Sequence, residues 1–399
     1  MALELEGLPF EEGGYLLVKQ ALRALQAGDK LTIIGSAPDL EPHLRGWCRQ
    51  EGHTLLETRR HPHGIALVVE AGAASAQRWA GAQRAGHANG HRRGAVVGHA
   101  LASWGLAARG ALVEAGAPPF DFPLAERIEV WTVDSARLYA QAAANQWDPN
   151  RAIPWNKPFD LPAEVEDAVV QVMTYLVENE TAALLVPSRF LTQIHPHFRE
   201  TLQLLAVQAS DEARHMEVFT RRATLKRDHP GLSSAGGQAS LKTLLEEADF
   251  ACASFLLSVL GEGSFLALLG FLAHHAPDPV TEAACRLAAQ DEGRHVGFAL
   301  SHLHERVAQQ PALREQLAAA VRRRHHALRD TAGLNGEVFD ALIVLAAGSW
   351  QPAALAAGYR RVIGLVTAMD EGRRKRLLAL GFAAQDAAEL SSLHTRNFM

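Results

Sequence analysis

A short motif occurs twice in the chain and constrains what it can fold into. Residues 211–215 read D-E-A-R-H, and residues 291–295 read D-E-G-R-H. Each copy holds a glutamate and a histidine three residues apart, and such positions lie on one face of an α-helix. Each copy therefore predicts a helix that points a carboxylate and an imidazole in the same direction.

Single glutamates upstream of each motif are candidates to join the two pairs. Glu262 is the one acidic or basic residue in the long apolar run 250–273. A buried carboxylate in such surroundings is costly unless it is neutralised or bound to a cation. We therefore expect Glu262 to accompany the second motif.

Two glutamates compete for the matching position before the first motif. Glu180 falls on the apolar stripe of its predicted helix, whereas Glu178 falls among polar residues. Matching the two halves as a repeat instead pairs residues 183–185 with residues 267–269, which favours Glu178. We prefer Glu180 on burial and keep both as candidates.

This donor set suits two divalent iron ions, with a mixed manganese–iron pair as the alternative. Hard carboxylates and imidazoles without thiolates favour these metals over structural zinc. Four carboxylates also balance the charge of two divalent ions, so the centre can be buried without net charge. The candidate ligands are Glu180 or Glu178, Glu212, His215, Glu262, Glu292 and His295.

Both motifs also share an aspartate and an arginine. A metal-binding histidine usually donates its other N–H to a carboxylate. We expect Asp211 and Asp291 each to hold the histidine of the opposite motif, and Arg214 and Arg294 to hold those aspartates or neighbouring carboxylates. Ordinary surface ion pairs are the alternative interpretation.

The pattern over residues 165–305 resembles the ferritin-like di-iron carboxylate superfamily, and distantly its p-aminobenzoate N-oxygenases. Those enzymes carry an additional histidine one turn before the last motif, where this chain has Ala288. The resemblance implies a four-helix bundle with two metals, acting with O₂ and an electron donor as an oxygenase or oxidase. We expect a small, largely apolar substrate in an apolar pocket near Met216, Phe219, Phe255 and Phe265.

Two other functions stay open. The first is a ferroxidase or iron-storage protein, although the extra domain and long helical tail are unlike the short chains of storage cages. The second is a non-enzymatic metal-binding scaffold linked to sulfur metabolism through the N-terminal segment. A homodimer is one assembly that we consider for any of the three functions.

The first 72 residues alternate strand and helix signals in the order βαβαββ and resemble the TusA-like sulfur-carrier domain. That family carries its sulfur on a cysteine in a C-P-x-P sequence after the first strand. The corresponding residues 8–14 here read L-P-F-E-E-G-G. Sulfur transfer needs a thiolate nucleophile, so we expect a docking or structural module. Cys48, within the second predicted helix, is interpreted as a packing residue.

These patterns predict three regions along the chain. Residues 1–72 form the α+β domain, residues 73–124 a linker region, and residues 125–399 an all-α ferritin-like bundle with extra C-terminal helices. Residues 124–146 are predicted as the first helix of that bundle. In the linker, we interpret His87, His91 and His99 as solvated rather than metal-binding.

Charge, cysteine content and the N-terminal sequence indicate which partners and which compartment to expect. A net charge of −5 gives no electrostatic reason to expect nucleic acid or an anionic membrane. Three cysteines without C-x-x-C spacing suit a reducing cytoplasm, and the acidic N-terminus lacks the features of a signal peptide. The run 250–273 is long enough to span a bilayer, but Glu262 at its midpoint favours a buried core helix.

Overall fold

The computed structural model describes residues 1–73, 80–87, 95–329 and 336–394. His91 lies outside these ranges. The chain divides into two compact units: one comprises residues 1–89 and 107–119, and the other comprises residues 90–106 and 120–399. The segment 73–124, predicted as a linker region, thus contributes to both units.

The first unit contains a four-stranded sheet with two helices. Its strands lie in the order β1-β2-β4-β3, with β1 parallel to β2 and the other pairings antiparallel. The predicted βαβαββ order is confirmed. The elements are β1 (Ala2–Glu6), α1 (Tyr15–Arg23), β2 (Lys30–Gly35), α2 (Leu40–Glu51), β3 (Thr54–His61) and β4 (Gly64–Glu70), followed by the short pair β5 (Gln83–Arg84) and β6 (Leu112–Val113).

The core of this unit lies between the helices and one face of the sheet. Alternate residues of β2, Leu31 and Ile33, are fully buried, as expected where one face of a strand is covered. Val18 of α1 and Leu44 of α2 are equally buried and belong to the same apolar cluster. The sheet and the two helices therefore share one hydrophobic core.

The second unit is helical. Its ordered elements begin with a 3₁₀ turn at Ala102–Trp104 and include a second one at Pro196–Phe198. The helices are α3 (Arg127–Val130), α4 (Ser135–Ala144), α5 (Pro149–Ala152), α6 (Ala163–Ser188), α7 (Arg199–Ala223), α8 (Ala235–Glu246), α9 (Phe250–Ser254), a π-helix (Phe255–Glu262), α10 (Gly263–His274), α11 (Pro279–Gln309), α12 (Leu313–Leu328), α13 (Gly336–Ala347), α14 (Pro352–Ala379) and α15 (Ala384–His394).

The predicted helix over residues 124–146 is wrong, because the chain breaks between α3 and α4. At the break, Thr132 Oγ1 and the backbone N–H of Val133 both donate to Glu305 Oε1, at 2.7 and 3.1 Å. The Val133 N–H is therefore bonded to a side chain of α11 instead of a carbonyl in its own turn.

The apolar run forms one helical stretch, Phe250–His274, built from α9, the π-helix and α10. It is long and apolar enough to cross a membrane, and 78% of its most apolar window is buried inside the structure. Helices α13 and α14 meet the same criterion only as a pair bent by 117°. Such extensive burial is typical of a helix that is apolar on all sides and lies at the centre of a large helical unit.

Candidate metal centre

Four helical segments bring carboxylates and imidazoles to one buried point in the second unit. Glu180 comes from α6, and Glu262 is the last residue of the π-helix. The two motifs lie on α7 and α11, and each presents its glutamate and histidine on the same face. None of the six side chains is more than 3% exposed: Glu180, Glu212, His215, Glu262, Glu292 and His295.

These residues form two overlapping groups of possible metal ligands. In each group, one donor atom per residue lies within 4.8 Å of every other. The first group is Glu180, Glu212, His215 and Glu292, and the second is Glu212, Glu262, Glu292 and His295. Because Glu212 and Glu292 belong to both groups, they lie where bridging ligands between two ions would lie.

Glu178 does not take part in either group. It is partly exposed, whereas Glu180, two residues later on α6, is 1% exposed. Glu180 Oε2 lies 3.5 Å from Nδ1 of His215. Glu180, the candidate on the apolar stripe of α6, therefore reaches the cluster, and Glu178 does not.

The hydrogen bonding of the cluster fits bound cations. Within the described residues, Glu180 Oε1, Glu262 Oε2 and both carboxylate oxygens of Glu292 are buried without a hydrogen-bond partner. A buried polar atom without a partner costs about 1–3 kcal/mol, and more when charged. Metal ions supply the missing partners, and this oxygen-and-imidazole donor set suits iron and manganese. The buried Glu/His cluster can thus bind a two-metal cofactor.

The two histidines are held from behind by the aspartates of the opposite motifs. His215 Nε2 lies 3.1 Å from Asp291 Oδ2, and His295 Nε2 lies 3.2 Å from Asp211 Oδ2. Nδ1 of each ring faces the cluster instead, at 3.1 Å from Glu212 Oε2 for His215 and 3.0 Å from Glu212 Oε1 for His295. This arrangement leaves Nδ1 as the ligand atom of each histidine.

Two arginines cover the aspartate pair. Arg214 Nη2 donates to Asp291 at 2.8 Å and also to Asp211. Arg294 pairs with Asp291 and lies 3.7 Å from Asp211. Both aspartates are almost fully buried, and the side chains of Arg214 and Arg294 are only 10% and 13% exposed. The arginines therefore neutralise a carboxylate pair that would otherwise repel.

Three further residues touch the site and were not predicted from the sequence. Gln146 Nε2 donates to Asp211 at 2.9 Å, and Trp147 Nε1 donates to Asp291 at 2.7 Å. They lie in an irregular segment after α4, where no spacing rule indicates a contact. Gln208 donates to Glu262 Oε1 at 3.1 Å. It precedes Glu212 by one helical turn, and that spacing is the one signal that could have identified it.

Without metal, three carboxylates of the cluster have raised pKa values and one has a lowered pKa. Burial raises the pKa of Glu180 well above its usual range, and burial together with the charge of Glu292 does the same for Glu262. Burial and the charge of Glu212 also raise the pKa of Glu292. Burial alone would raise the pKa of Glu212, but the nearby imidazoles, His295 first, lower it instead. In the metal-free site, burial and mutual repulsion thus favour the protonated forms of Glu180, Glu262 and Glu292.

The same carboxylate charges raise the pKa values of the two imidazoles. Burial alone would lower the pKa of His215, but the charge of Glu180 and the hydrogen bond to Asp291 raise it well above its usual value. For His295, the charge of Glu212 and the bond to Asp211 outweigh burial in the same way. The metal-free cluster therefore carries protons that bound metal ions would displace.

A narrow cavity is lined in part by Gln208, the residue that donates to Glu262. Its volume is about 20 Å³, enough for roughly one water-sized molecule. The four residues expected around a pocket, Met216, Phe219, Phe255 and Phe265, are not among those that line this cavity. Its apolar walls include Phe190, Leu205, Phe250, Leu257 and Phe298, and its polar groups include Gln208 and Ser258.

Comparison with known proteins gives similarities to solved structures. No protein-family model and no curated protein matches the sequence. An R2-like ligand-binding oxidase from Sulfolobus acidocaldarius is 15% identical, with 61% of this chain and 92% of that chain covered and a TM-score of 0.41. Another R2-like ligand-binding oxidase, with an aerobically reconstituted metal cofactor, is 16% identical, with 65% and 90% covered and a TM-score of 0.40.

A third similar structure is a variant R2-like ligand-binding oxidase with an anaerobically reconstituted Mn/Fe cofactor. It is 17% identical, with 60% of this chain and 92% of that chain covered and a TM-score of 0.41. All three similarities are of low identity. The functional assignment of this chain therefore depends on the geometry of its own site.

Proposed function

We propose that the helical unit binds two iron ions, or one manganese and one iron, and acts with O₂ as an oxidase or oxygenase. The observation that carries the proposal is the pair of ligand groups that share Glu212 and Glu292. Glu212 and Glu292 would be shared by both metal ions. Glu180 and His215 would help to hold one ion, and Glu262 and His295 the other. The unit itself we propose to be a ferritin-like four-helix bundle with extra C-terminal helices.

The bound ions would supply the one-electron redox chemistry that reaction with O₂ needs. The residues of the chain orient the ligands. Asp291 and Asp211 keep a proton on Nε2 of the two histidines, so the lone pair of each Nδ1 points at the metals. Gln208 holds Oε1 of Glu262 and leaves Oε2 for a metal ion.

The surroundings of Glu262 form a buried apolar wall beside the proposed centre. Phe255, Val259 and Leu269 are completely buried, and Phe265 is 2% exposed. An enclosed apolar wall protects reactive species from side reactions. It also disfavours an iron-storage role, because a storage site has to release its oxidised metal.

The cavity beside Gln208 is too small to hold an organic substrate in this conformation. Its volume is about 20 Å³, whereas sites for organic ligands measure roughly 300–1,000 Å³. A small, largely apolar substrate that occupied this cavity would therefore require side chains such as Phe190 or Phe298 to move. Among the described residues, the lining contains no charged side chain, and its polar residues are Gln208, Ser254 and Ser258, which favours a substrate with few charges.

The N-terminal unit we propose to be a TusA-like module used for docking rather than chemistry. Residues 8–14 contain no cysteine. Cys48 is 1% exposed, and burial raises the pKa of its thiol to about 11. A buried thiol that stays protonated at neutral pH is a poor nucleophile.

Rapid mixing of the anaerobic, Fe(II)-loaded protein with O₂ tests the proposed function. We expect a transient visible absorption band, with two iron ions still bound after desalting. The Glu178→Gln variant should behave identically, because Glu178 lies outside both ligand groups. No reaction with O₂ would contradict the proposal. Prompt loss of the iron as a mineral would support the ferroxidase alternative.

A further inference from the structure

The segment that carries Glu262 is wound more widely than an α-helix. Phe255–Glu262 is a π-helix, and the N–H of Gly263 reaches the carbonyl of Ser258, five residues back. In an α-helix that N–H would bond to the carbonyl of Val259. Single π turns inside α-helices are rare, and they occur frequently at functional sites.

An arginine from α14 takes up the Val259 carbonyl. Arg376 Nε donates to Val259 O at 2.6 Å, three residues before Glu262. One turn earlier on α14, Arg373 Nη1 donates to Ser264 Oγ at 3.2 Å. Helix α14 thus contacts this stretch three residues before and two residues after the candidate ligand Glu262.

The guanidinium of Arg376 occupies space that Gly263 leaves open. A Cβ atom at position 263 would lie 2.4 Å from Nε and 2.5 Å from Cζ of Arg376. Burial and the charge of Arg373 lower the pKa of Arg376 to about 10, so the group is still charged at neutral pH. Burying a charged group is costly unless hydrogen bonds compensate, and the Val259 carbonyl provides such a bond.

We infer that Arg376 is a positioning residue for the proposed metal centre, because its guanidinium holds the widened turn that directs Glu262 at the metals. The inference rests on the proposed function. If the turn relaxed to α-helical winding, one residue would be taken up and Glu262 would rotate by about 100° around the helix axis. The metal held by Glu262 and His295 should then bind more weakly than the metal held by Glu180 and His215.

Manganese binding by the full-length protein tests this inference. Titration with MnCl₂, followed by calorimetry and by the EPR signal of free Mn(II), should give two sites in the wild type. Arg376→Met removes the donor and keeps the apolar stem, and it should weaken one site at least tenfold. Arg376→Lys keeps one donor and should recover part of that loss. Arg374→Met is the matched control, since Arg374 is 47% exposed on the same helix.

A metal-free measurement separates this inference from the proposed function. In the apo protein, Arg376→Met should speed amide hydrogen exchange at residues 258–264 at least tenfold, and Arg374→Met should not. Gly263→Ala displaces the guanidinium without removing it. This variant should also weaken one manganese site and speed exchange at residues 258–264, and it replaces Arg376→Met if that variant does not fold. A wild type that binds fewer than two Mn(II) ions overturns the proposed function, and the exchange comparison still decides the role of Arg376.

Three results would overturn the role of Arg376. The first is wild-type manganese binding by Arg376→Met, and the second is unchanged exchange at residues 258–264. The third is equal weakening of both sites with faster exchange throughout the unit, because that pattern indicates a general loss of packing.

Discussion

His215 Nε2 lies 3.1 Å from Oδ2 of Asp291, the residue that precedes the candidate ligand Glu292 in the other motif. The reciprocal pair, His295 and Asp211, is separated by 3.2 Å. Each motif therefore supplies ligands to the cluster and also the carboxylate that orients the histidine of its counterpart. The conformations of α7 and α11 at the site are coupled in this way.

Replacement of Asp291 should weaken metal binding while the fold is kept. An asparagine at this position cannot stabilise the N–H of His215 as a carboxylate does, and such losses typically cost 10–100-fold in metal affinity. We expect a loss of that size for Asp291→Asn in Mn(II) titrations. Asp167→Asn, in an exposed pair with Arg227, is the control. Equal affinity in the two variants would show that Asp291 does not orient a ligand.

The neighbouring glutamates of α6 should behave differently when each loses its charge. Glu180→Gln removes a member of the first ligand group and should leave one metal ion per chain after reconstitution. Glu178→Gln should retain two, because Glu178 is partly exposed and outside both groups. Metal content after gel filtration measures the difference. Loss of a metal ion from the Glu178→Gln variant alone would reverse the assignment.

The metal-free protein should lose unfolding free energy as the pH rises above about 5. The folded-state pKa values of Glu180 and Glu262 lie well above their usual 4.5. Between the unfolded and folded pKa values the native state holds protons that the unfolded chain has released, so stability falls as the pH rises. The raised pKa values of His215 and His295 act in the same direction above about 6.5.

Urea unfolding in the presence of a chelator at several pH values measures this dependence. Glu262→Gln removes one raised group and should flatten the curve by up to about 1.4 kcal/mol per pH unit within its window. A variant curve parallel to that of the wild type would show that Glu262 ionises normally in the folded protein.

The thiol of Cys48 should be unreactive in the folded protein. It is buried, and its pKa is raised to about 11. We expect no persulfide on Cys48 after incubation with a sulfur donor, and labelling by iodoacetamide only after denaturation. Mass spectrometry of the labelled peptide measures both. Rapid labelling of the native protein, followed by sulfur transfer to an acceptor, would contradict a docking role for the N-terminal unit.

The parts of the site that follow from helical periodicity could be predicted from the sequence. The i, i+3 spacing placed Glu212 with His215 and Glu292 with His295, and a lone acid in an apolar run indicated Glu262. The choice between Glu180 and Glu178 was harder, because burial and repeat matching gave opposite answers. The structure brings Glu180 into the cluster.

Other features depend on contacts between distant segments and leave no periodic signal. Gln146 and Trp147 reach the aspartates from an irregular segment, about 65 and 144 residues away along the chain. Glu305 of α11 accepts a hydrogen bond from the backbone at the break between α3 and α4, and Arg376 of α14 donates to the π-helix. Each of these requires knowledge of which helices pack together, which single-sequence patterns do not contain.

Anomalous diffraction from crystals of the Fe(II)- or Mn(II)-reconstituted protein tests whether Glu212 and Glu292 lie between two metal ions. We expect two anomalous peaks about 3.5–4 Å apart, the usual separation in two-metal sites. One ion should be bound by Nδ1 of His215 and the other by Nδ1 of His295. A single peak, or none between α7 and α11 after reconstitution, would show that the two glutamates do not share two ions.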